Sequence, residues 1–273
     1  STYVEMIKDL QDDSTDGIYG IPYVTNANGI IYNKDKLEEL NVDVPKTWDE
    51  FIEVLEIAKS AGEIPIYFTL KDAWTAMPIW NSLAANLAPA DFAELKNEGS
   101  TSFQDEFEDV VSKFLTLLEY GHDDNFGFGY SDGNTAFANG EGLFYLQGNW
   151  TIPEILKVNP DINLELIPMP VSNNPEENKL PSAIDVALTM NSETKNREES
   201  EKFLQFLLEN EILQQYVDEQ LAFPTTKDVV QQEPMLEGVS QNFKDGTLAN
   251  TPDQFYPQGM LMANLVYGII HMI

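Results

Sequence analysis

Gly20-Ile21-Pro22-Tyr23-Val24-Thr25-Asn26-Ala27-Asn28-Gly29-Ile30-Ile31-Tyr32-Asn33-Lys34 holds two short runs of β-branched and aromatic residues on either side of a polar break. The runs at 18–25 and 29–33 predict two strands, and the helix-favouring segment 34–40 follows at once. Next, Val44-Pro45-Lys46-Thr47-Trp48-Asp49-Glu50 sets Thr47 as an N-cap with Glu50 three residues on. That is a capping box ahead of the apolar positions Phe51, Val54, Leu55 and Ala58, and it predicts a helix start. Trp48 belongs to that start and reads as structural.

Outward from this stretch the pattern alternates. Segments 64–68, 163–169 and 185–191 predict strands; 73–87, 103–120 and 197–208 have helical spacing; Gly140-Glu141-Gly142-Leu143-Phe144-Tyr145-Leu146-Gln147-Gly148-Asn149-Trp150 reads as strand, tight turn, helix. Segment 170–181 contains three prolines and predicts an exposed loop. Strands alternating with helices mean an α/β chain. Neither an internal repeat nor a linker between sequential domains is visible, which predicts lobes that exchange strands.

Composition narrows the function. In 273 residues there are 15 Lys+Arg against 46 Asp+Glu, a formal charge of −31. A nucleic-acid partner is excluded, because binding polyphosphate requires Lys and Arg to neutralise it, and anionic lipid is repelled for the same reason. Arg197 is the only arginine, placed on a predicted surface helix, so a bidentate clamp on phosphate has one candidate. Cysteine is absent, which removes disulfides, thiolate metal sites and Cys nucleophiles. The apolar tail 260–273 is shorter than the roughly 20 residues of a membrane helix and reads as a core helix.

Chemical motifs are sparse. Asp12-Asp13 and Asp123-Asp124 read as solvated loop charges. Asp12-x-Ser14-x-Asp16-Gly17 opens like a calcium loop, but Tyr23 stands where a bidentate Glu is required. His122 and His271 are the only histidines and lack ligand spacing, so no metal site is expected, and His122 reads as a surface loop residue. Neither GxGxxG nor a Walker loop occurs, which leaves no cofactor cradle. What remains is aromatic: Trp74 follows a strand beside Asp72, and Trp150 sits next to Asn149 at a strand-to-helix turn. Strand ends of this kind face the ligand crevice in open α/β sheets. A flat indole beside a short polar side chain suits a sugar, with the ring on its C–H face and the polar group on its hydroxyls; core packing is the alternative role for each tryptophan. Asp185, a carboxylate opening an apolar strand, is a further candidate.

These residues carry a resemblance. The 20–34 stretch and Pro45-Lys46-Thr47-Trp48-Asp49-Glu50-Phe51, with blocks at 137–150, 184–192, Ala222-Phe223-Pro224-Thr225 and Gln254-Phe255-Tyr256-Pro257, resemble the extracellular solute-binding proteins of carbohydrate ABC importers, the maltose-binding-protein-like group. The resemblance implies a two-lobe, type II periplasmic-binding-protein-like fold with interleaved lobes joined by hinge strands. It assigns 1–25 and 185–225 to an incomplete N-lobe and 28–180 and 228–273 to a C-lobe, with crossings at 25–28 and 183–185. It implies a monomeric receptor, anchored at the cell surface as a lipoprotein or periplasmic, that binds a carbohydrate without turnover and meets the importer's transmembrane subunits. It places Asn26, Asp72, Trp74 and Trp150 at the sugar, and Tyr256 and Gln258 near it. A glycoside-processing enzyme with paired carboxylates and an interaction domain without a cleft remain as alternatives.

Overall fold

The computed structural model describes residues 17–256 and 260–271. The opening stretch forms β1 (Ile21–Thr25) and β2 (Ile30–Asn33), and each is an inner strand of a different sheet. Then β2 runs into α1 (Lys34–Leu40), where Asn33 Oδ1 accepts from the Lys36 N–H at 3.1 Å and satisfies one of the helix's unpaired donors. In α2 (Trp48–Ser60) the capping box is closed: Glu50 N–H donates to Thr47 Oγ1 at 3.2 Å and Thr47 N–H to Glu50 Oε2 at 3.1 Å. Trp48 packs edge-on against Phe51, and the Lys113 ammonium sits 3.7 Å above its indole.

After β3 (Ile64–Ile66), the expected helix at 73–87 is a short 3-10 turn, Ala73–Ala76, followed by α3 (Met77–Leu87) with a proline in its first turn. Next come α4 (Phe92–Asn97), α5 (Phe103–Glu106) and α6 (Glu108–Leu118). A single helix over 103–120 is not what forms. Phe107 leaves the helical conformation, at φ −113° and ψ 16°, and so drives its ring inward to stack on Trp80 at 5.3 Å. The chain continues through α7 (Tyr130–Ala138), β4 (Gly142–Tyr145), a 3-10 turn at Asn149–Thr151, α8 (Ile152–Val158), β5 (Leu164–Ile167), β6 (Leu180–Pro181) and β7 (Ile184–Leu188). It ends with α9 (Arg197–Leu207), α10 (Asn210–Gln220), β8 (Phe223–Pro224), α11 (Glu237–Asp245), β9 (Leu248–Ala249) and α12 (Met262–His271).

The large sheet has the order β3-β4-β2-β5 and the small one β7-β1-β8, while β6 and β9 form a parallel pair. All four residues of β2 are buried, and the period of two divides them. Ile30 and Tyr32 enter one core with Phe51, Leu55, Ile66 and Phe144, whereas Ile31 enters another with Phe137, Tyr145, Ile152 and Leu166. Helices thus cover both faces, which is why the strand reads as continuously apolar. Gly29 is required at the strand's start, because a Cβ there would overlap the Ile167 carbonyl oxygen. A third core under the small sheet joins Tyr23 and Val24 to Leu213 and Val217 of α10. Leu221 and Phe223, although beside the small sheet in sequence, pack into the second core of the large one, with Phe223 stacked on Phe243 at 4.0 Å.

His122 corrects its reading as a loop surface residue. Its ring is packed against Tyr67 at 4.5 Å and Phe128 at 5.4 Å, and Nε2 lies 2.9 Å from the Phe68 carbonyl. Arg197 is exposed at the start of α9 and pairs with Glu201 at 2.9 Å. The Asp12-Asp13 pair and the Asp12–Asp16 loop lie outside the described residues. Among the described residues no helix is long and apolar enough to cross a membrane.

Candidate ligand-binding site

The polar break between β1 and β2 carries the chain from the small sheet to the large one, and a second pass lies against it. Asn26 N–H donates to the Ala183 carbonyl at 3.0 Å, Ala183 N–H donates to Asn26 Oδ1 at 3.2 Å, and Ser182 Oγ donates to the Asn26 carbonyl at 2.6 Å. On one side Thr25 pairs with Ile184; on the other Asn28 N–H donates to the Pro181 carbonyl at 2.9 Å. The two passes are therefore antiparallel neighbours. Asn26 also uses one of its two side-chain N–H donors here, with Nδ2 3.4 Å from Asp185 Oδ1.

Asp185 is exposed on β7, where Asp185 and Ala187 alternate with more buried neighbours. Surrounding protein nevertheless removes enough water to raise its carboxyl pKa, and the Asn26 bond opposes that rise without cancelling it. Asp185 is thus accessible and at the same time partly desolvated. Tyr216 stands nearby: its hydroxyl pKa is raised by burial first and by the Asp185 charge second, and its ring is 5.1 Å from that of Tyr23.

The Trp150 turn is fastened to the same crossing by Asn149. This side chain, only 2% exposed, accepts from Ala27 N–H at 2.8 Å and donates through Nδ2 to the Leu221 carbonyl at 2.9 Å. Gly148 and Asn28 form a bridge beside it. The Trp150 indole lies over Gly148 so closely that a Cβ at 148 would overlap its six-membered ring. Asn149 thus sets the turn and Gly148 sets the ring.

Asp72 and Trp74 are joined to this group through Tyr130. Asp72 Oδ2 accepts from Tyr130 N–H at 2.8 Å. Trp74, 41% exposed, meets the Tyr130 ring at 4.9 Å and an angle of 57°. The Tyr130 hydroxyl lies 3.3 Å from Thr151 Oγ1, next in sequence to Trp150. Asp72, Trp74, Tyr130 and Thr151 accordingly form one set of contacts and Asn26 with Asp185 another, and Trp150 is joined to both through its chain neighbours, Thr151 to the first and Asn149, bonded to Ala27 N–H, to the second. Sequence reasoning missed Tyr130 and the fastening role of Asn149. The only signal for Tyr130 is an aromatic opening a helix after Gly127-Phe128-Gly129, where no apolar period calls for one.

Tyr256 is corrected. It is 8% exposed and packs edge-on against Phe92 at 6.0 Å and Phe103 at 5.5 Å. The aromatic run 255–256 follows Pro252 into a short 3-10 turn whose end is swallowed by the first core, so this ring stabilises the fold instead of joining the tryptophans. Gln258 lies outside the described residues.

The assembled set offers two indoles, a phenol, an amide and two carboxylates, and none of its members is a lysine or arginine. Neither Asp72 nor Asp185 has an ion-pair partner among the described residues. Such a surface accepts hydrogen bonds from hydroxyls and packs flat rings on C–H faces.

Comparison with known proteins shows the family and the fold. Residues 1–213 match the bacterial extracellular solute-binding proteins. A multiple sugar-binding protein of Streptococcus mutans is 28% identical over 209 residues, covering 74% of this chain and 50% of that protein; the chain therefore spans half the length of this relative. Among solved structures, the solute-binding protein RafE in complex with raffinose superposes with a TM-score of 0.80 at 24% identity, over 93% of this chain and 68% of the other. A Bacillus licheniformis sugar transporter protein in complex with stachyose gives 0.77 at 18%, over 98% and 72%. These likenesses establish the two-lobe α/β fold of type II binding proteins. With the family match running over most of its length, the chain belongs to the bacterial extracellular solute-binding protein family.

Proposed function

We propose that this chain captures a neutral carbohydrate, an oligosaccharide, in the recess beside its strand crossings and delivers it unchanged to the transmembrane subunits of an ABC importer. The observation that carries this reading is the grouping, by side-chain contacts and chain adjacency, of Trp74, Tyr130, Thr151, Trp150 and Asn149, which is bonded to Ala27 N–H, with the neighbouring Asn26–Asp185 pair, rings and acceptors without a fixed cation beside the crossing. Support comes from relatives named for sugar binding, with raffinose and stachyose bound in two structural neighbours. On this reading the described residues within 1–25 and 185–225 belong to one lobe and those within 28–180 and 228–273 to the other. Closure rotates them about 25–28 and 183–185, excluding water from the bound sugar. The receptor is monomeric, non-enzymatic and extracytoplasmic, as a lipoprotein or a periplasmic protein. Nothing in the family or its relatives favours the glycoside-processing alternative.

A thermal-shift panel of raffinose, stachyose, chitin oligosaccharides and galactose tests the assignment. A ligand at 100 times its Kd adds about 2.7 kcal/mol to the folded state, a rise in Tm of about 5–10 °C at this size. Recovered sugar should be chemically unchanged. A flat response to every carbohydrate overturns the reading.

A further inference from the structure

The fold gives Phe128 little burial. It stands between α6 and α7 in the loop His122-Asp123-Asp124-Asn125-Phe126-Gly127-Phe128-Gly129, and it is 39% exposed although it has no polar side-chain atom to bring it to water. The ring is nevertheless held, meeting Tyr67 at 6.1 Å and His122 at 5.4 Å, both edge-on. His122 is itself engaged at both ring nitrogens. Nε2 lies 2.9 Å from the Phe68 carbonyl, which can only accept, and Nδ1 accepts from Asp124 N–H at 3.3 Å. Backbone bonds tie down the same loop: Leu70 N–H donates to the Asn125 carbonyl at 2.9 Å and Lys71 N–H to the Phe128 carbonyl at 3.2 Å.

This anchored, half-open ring lies beside the candidate site. Gly129 is extended, at φ −97° and ψ 179°, so Phe128 and Tyr130 project to the same side of the chain. A Cβ on Gly129 would stand 2.7 Å from Asp72 Oδ2, and that oxygen also accepts from Tyr130 N–H. The carboxylate therefore rests against the chain between the two aromatic residues. Tyr130 has its backbone at Asp72 and its hydroxyl at Thr151, next to Trp150; the length of a tyrosine side chain thus separates the Phe128 end of the group from the Trp150 end. A single sugar ring stacked on Trp150 would leave Phe128 uncovered. An open phenyl face takes the C–H face of a further sugar ring, with Asp72 accepting from its hydroxyls. We propose that Phe128 is an additional ligand-contacting residue, an outer platform for a distal ring of an oligosaccharide, and that it makes the site favour longer chains over monosaccharides. This inference rests on the carbohydrate assignment just proposed.

Titration calorimetry of the full chain with two series of falling length, stachyose, raffinose and galactose, and chitotetraose and N-acetylglucosamine, tests it. Phe128→Leu keeps an apolar side chain against Tyr67 and His122 but has no flat face, whereas Phe128→Trp keeps the face. In the series that binds, the parent should gain affinity with length. Phe128→Leu should weaken the longest member by about three- to tenfold, the size of an aromatic stacking contribution, and leave the shortest member that binds unchanged, with Tm within a few degrees of the parent. Phe128→Trp should retain the gain with length. Equal weakening at all lengths, or no weakening in Phe128→Leu, overturns the inference, as does a parent that binds sugars without preference for length; in each case the carbohydrate assignment stands. A parent that binds no carbohydrate overturns both.

Discussion

The Trp150 indole rests on the α-carbon of Gly148, and no side chain larger than hydrogen fits beneath it. The proposed stacking of a sugar on Trp150 calls for a ring plane fixed before the ligand arrives, and this contact fixes it without a hydrogen bond.

Trp150→Ala is expected to weaken carbohydrate binding by about tenfold, since losing the stacked face forfeits roughly 1–2 kcal/mol of apolar burial. Its Tm should change little, because the side chain is only half-buried. Gly148→Ala should act in the same direction by tilting the ring. Titration calorimetry with the best sugar from the panel checks both; unchanged affinity with a large fall in Tm would reassign Trp150 to the core.

Removing Asn149 tests the fastening of that turn to the crossing. Asn149→Ala leaves the Ala27 N–H and the Leu221 carbonyl without their side-chain partners, at a cost of about 2–5 kcal/mol for two buried polar groups. Urea unfolding should show the midpoint fall accordingly. A midpoint equal to the parent's would mean that water replaces the amide there.

Asp185 gives a pH dependence with a definite sign. Its carboxyl pKa is raised in the folded state, so the native protein holds this proton to higher pH than the unfolded chain does. The stability it contributes is complete below the ordinary aspartate pKa of about 4 and is lost as pH rises through the raised value. Asp185→Asn should therefore gain Tm relative to the parent as pH goes from about 4 toward neutrality, with no gain below that window. A difference in Tm that is constant across pH would count against it.

Thr47→Ala serves as the remote counterpart. Loss of the capping box should lower stability by about 0.5–2 kcal/mol, and carbohydrate affinity should not move. A changed affinity would show that α2 communicates with the recess.

The architecture was legible where local chemistry is self-sufficient. Thr47 and Glu50 announce a helix whatever surrounds them, and Ile30 to Tyr32 announce a strand buried on both faces. Phe107 is the contrary case: its helical spacing is good, but the pull of Trp80 and Phe92 outweighs one turn of helix, and no neighbour in sequence reports that pull. The site divides along the same line. Trp74 and Trp150 stand out because a large aromatic beside a turn is conspicuous. Tyr130 and Asn149 do not, since their roles rest on partners 58 and 122 residues away in the chain. Tyr256 misled because an aromatic near a proline-led turn looks the same in sequence whether it faces a ligand or a core.

The pairing of β1 has a consequence for how the molecule is made. Thr25 Oγ1 reaches the Phe223 carbonyl across 198 positions of chain, and Thr225 Oγ1 reaches the Pro22 carbonyl across 203. The large sheet is complete once β5 has been synthesised, yet β1 must wait for β7 and β8. During that interval it presents two unpaired edges, the geometry that invites aggregation. Loop closure over such spans slows folding, so the small sheet closes after the large one, once the last third of the chain has emerged. Variants that delay β8 should accumulate as a species with a finished large sheet and an unsealed small one.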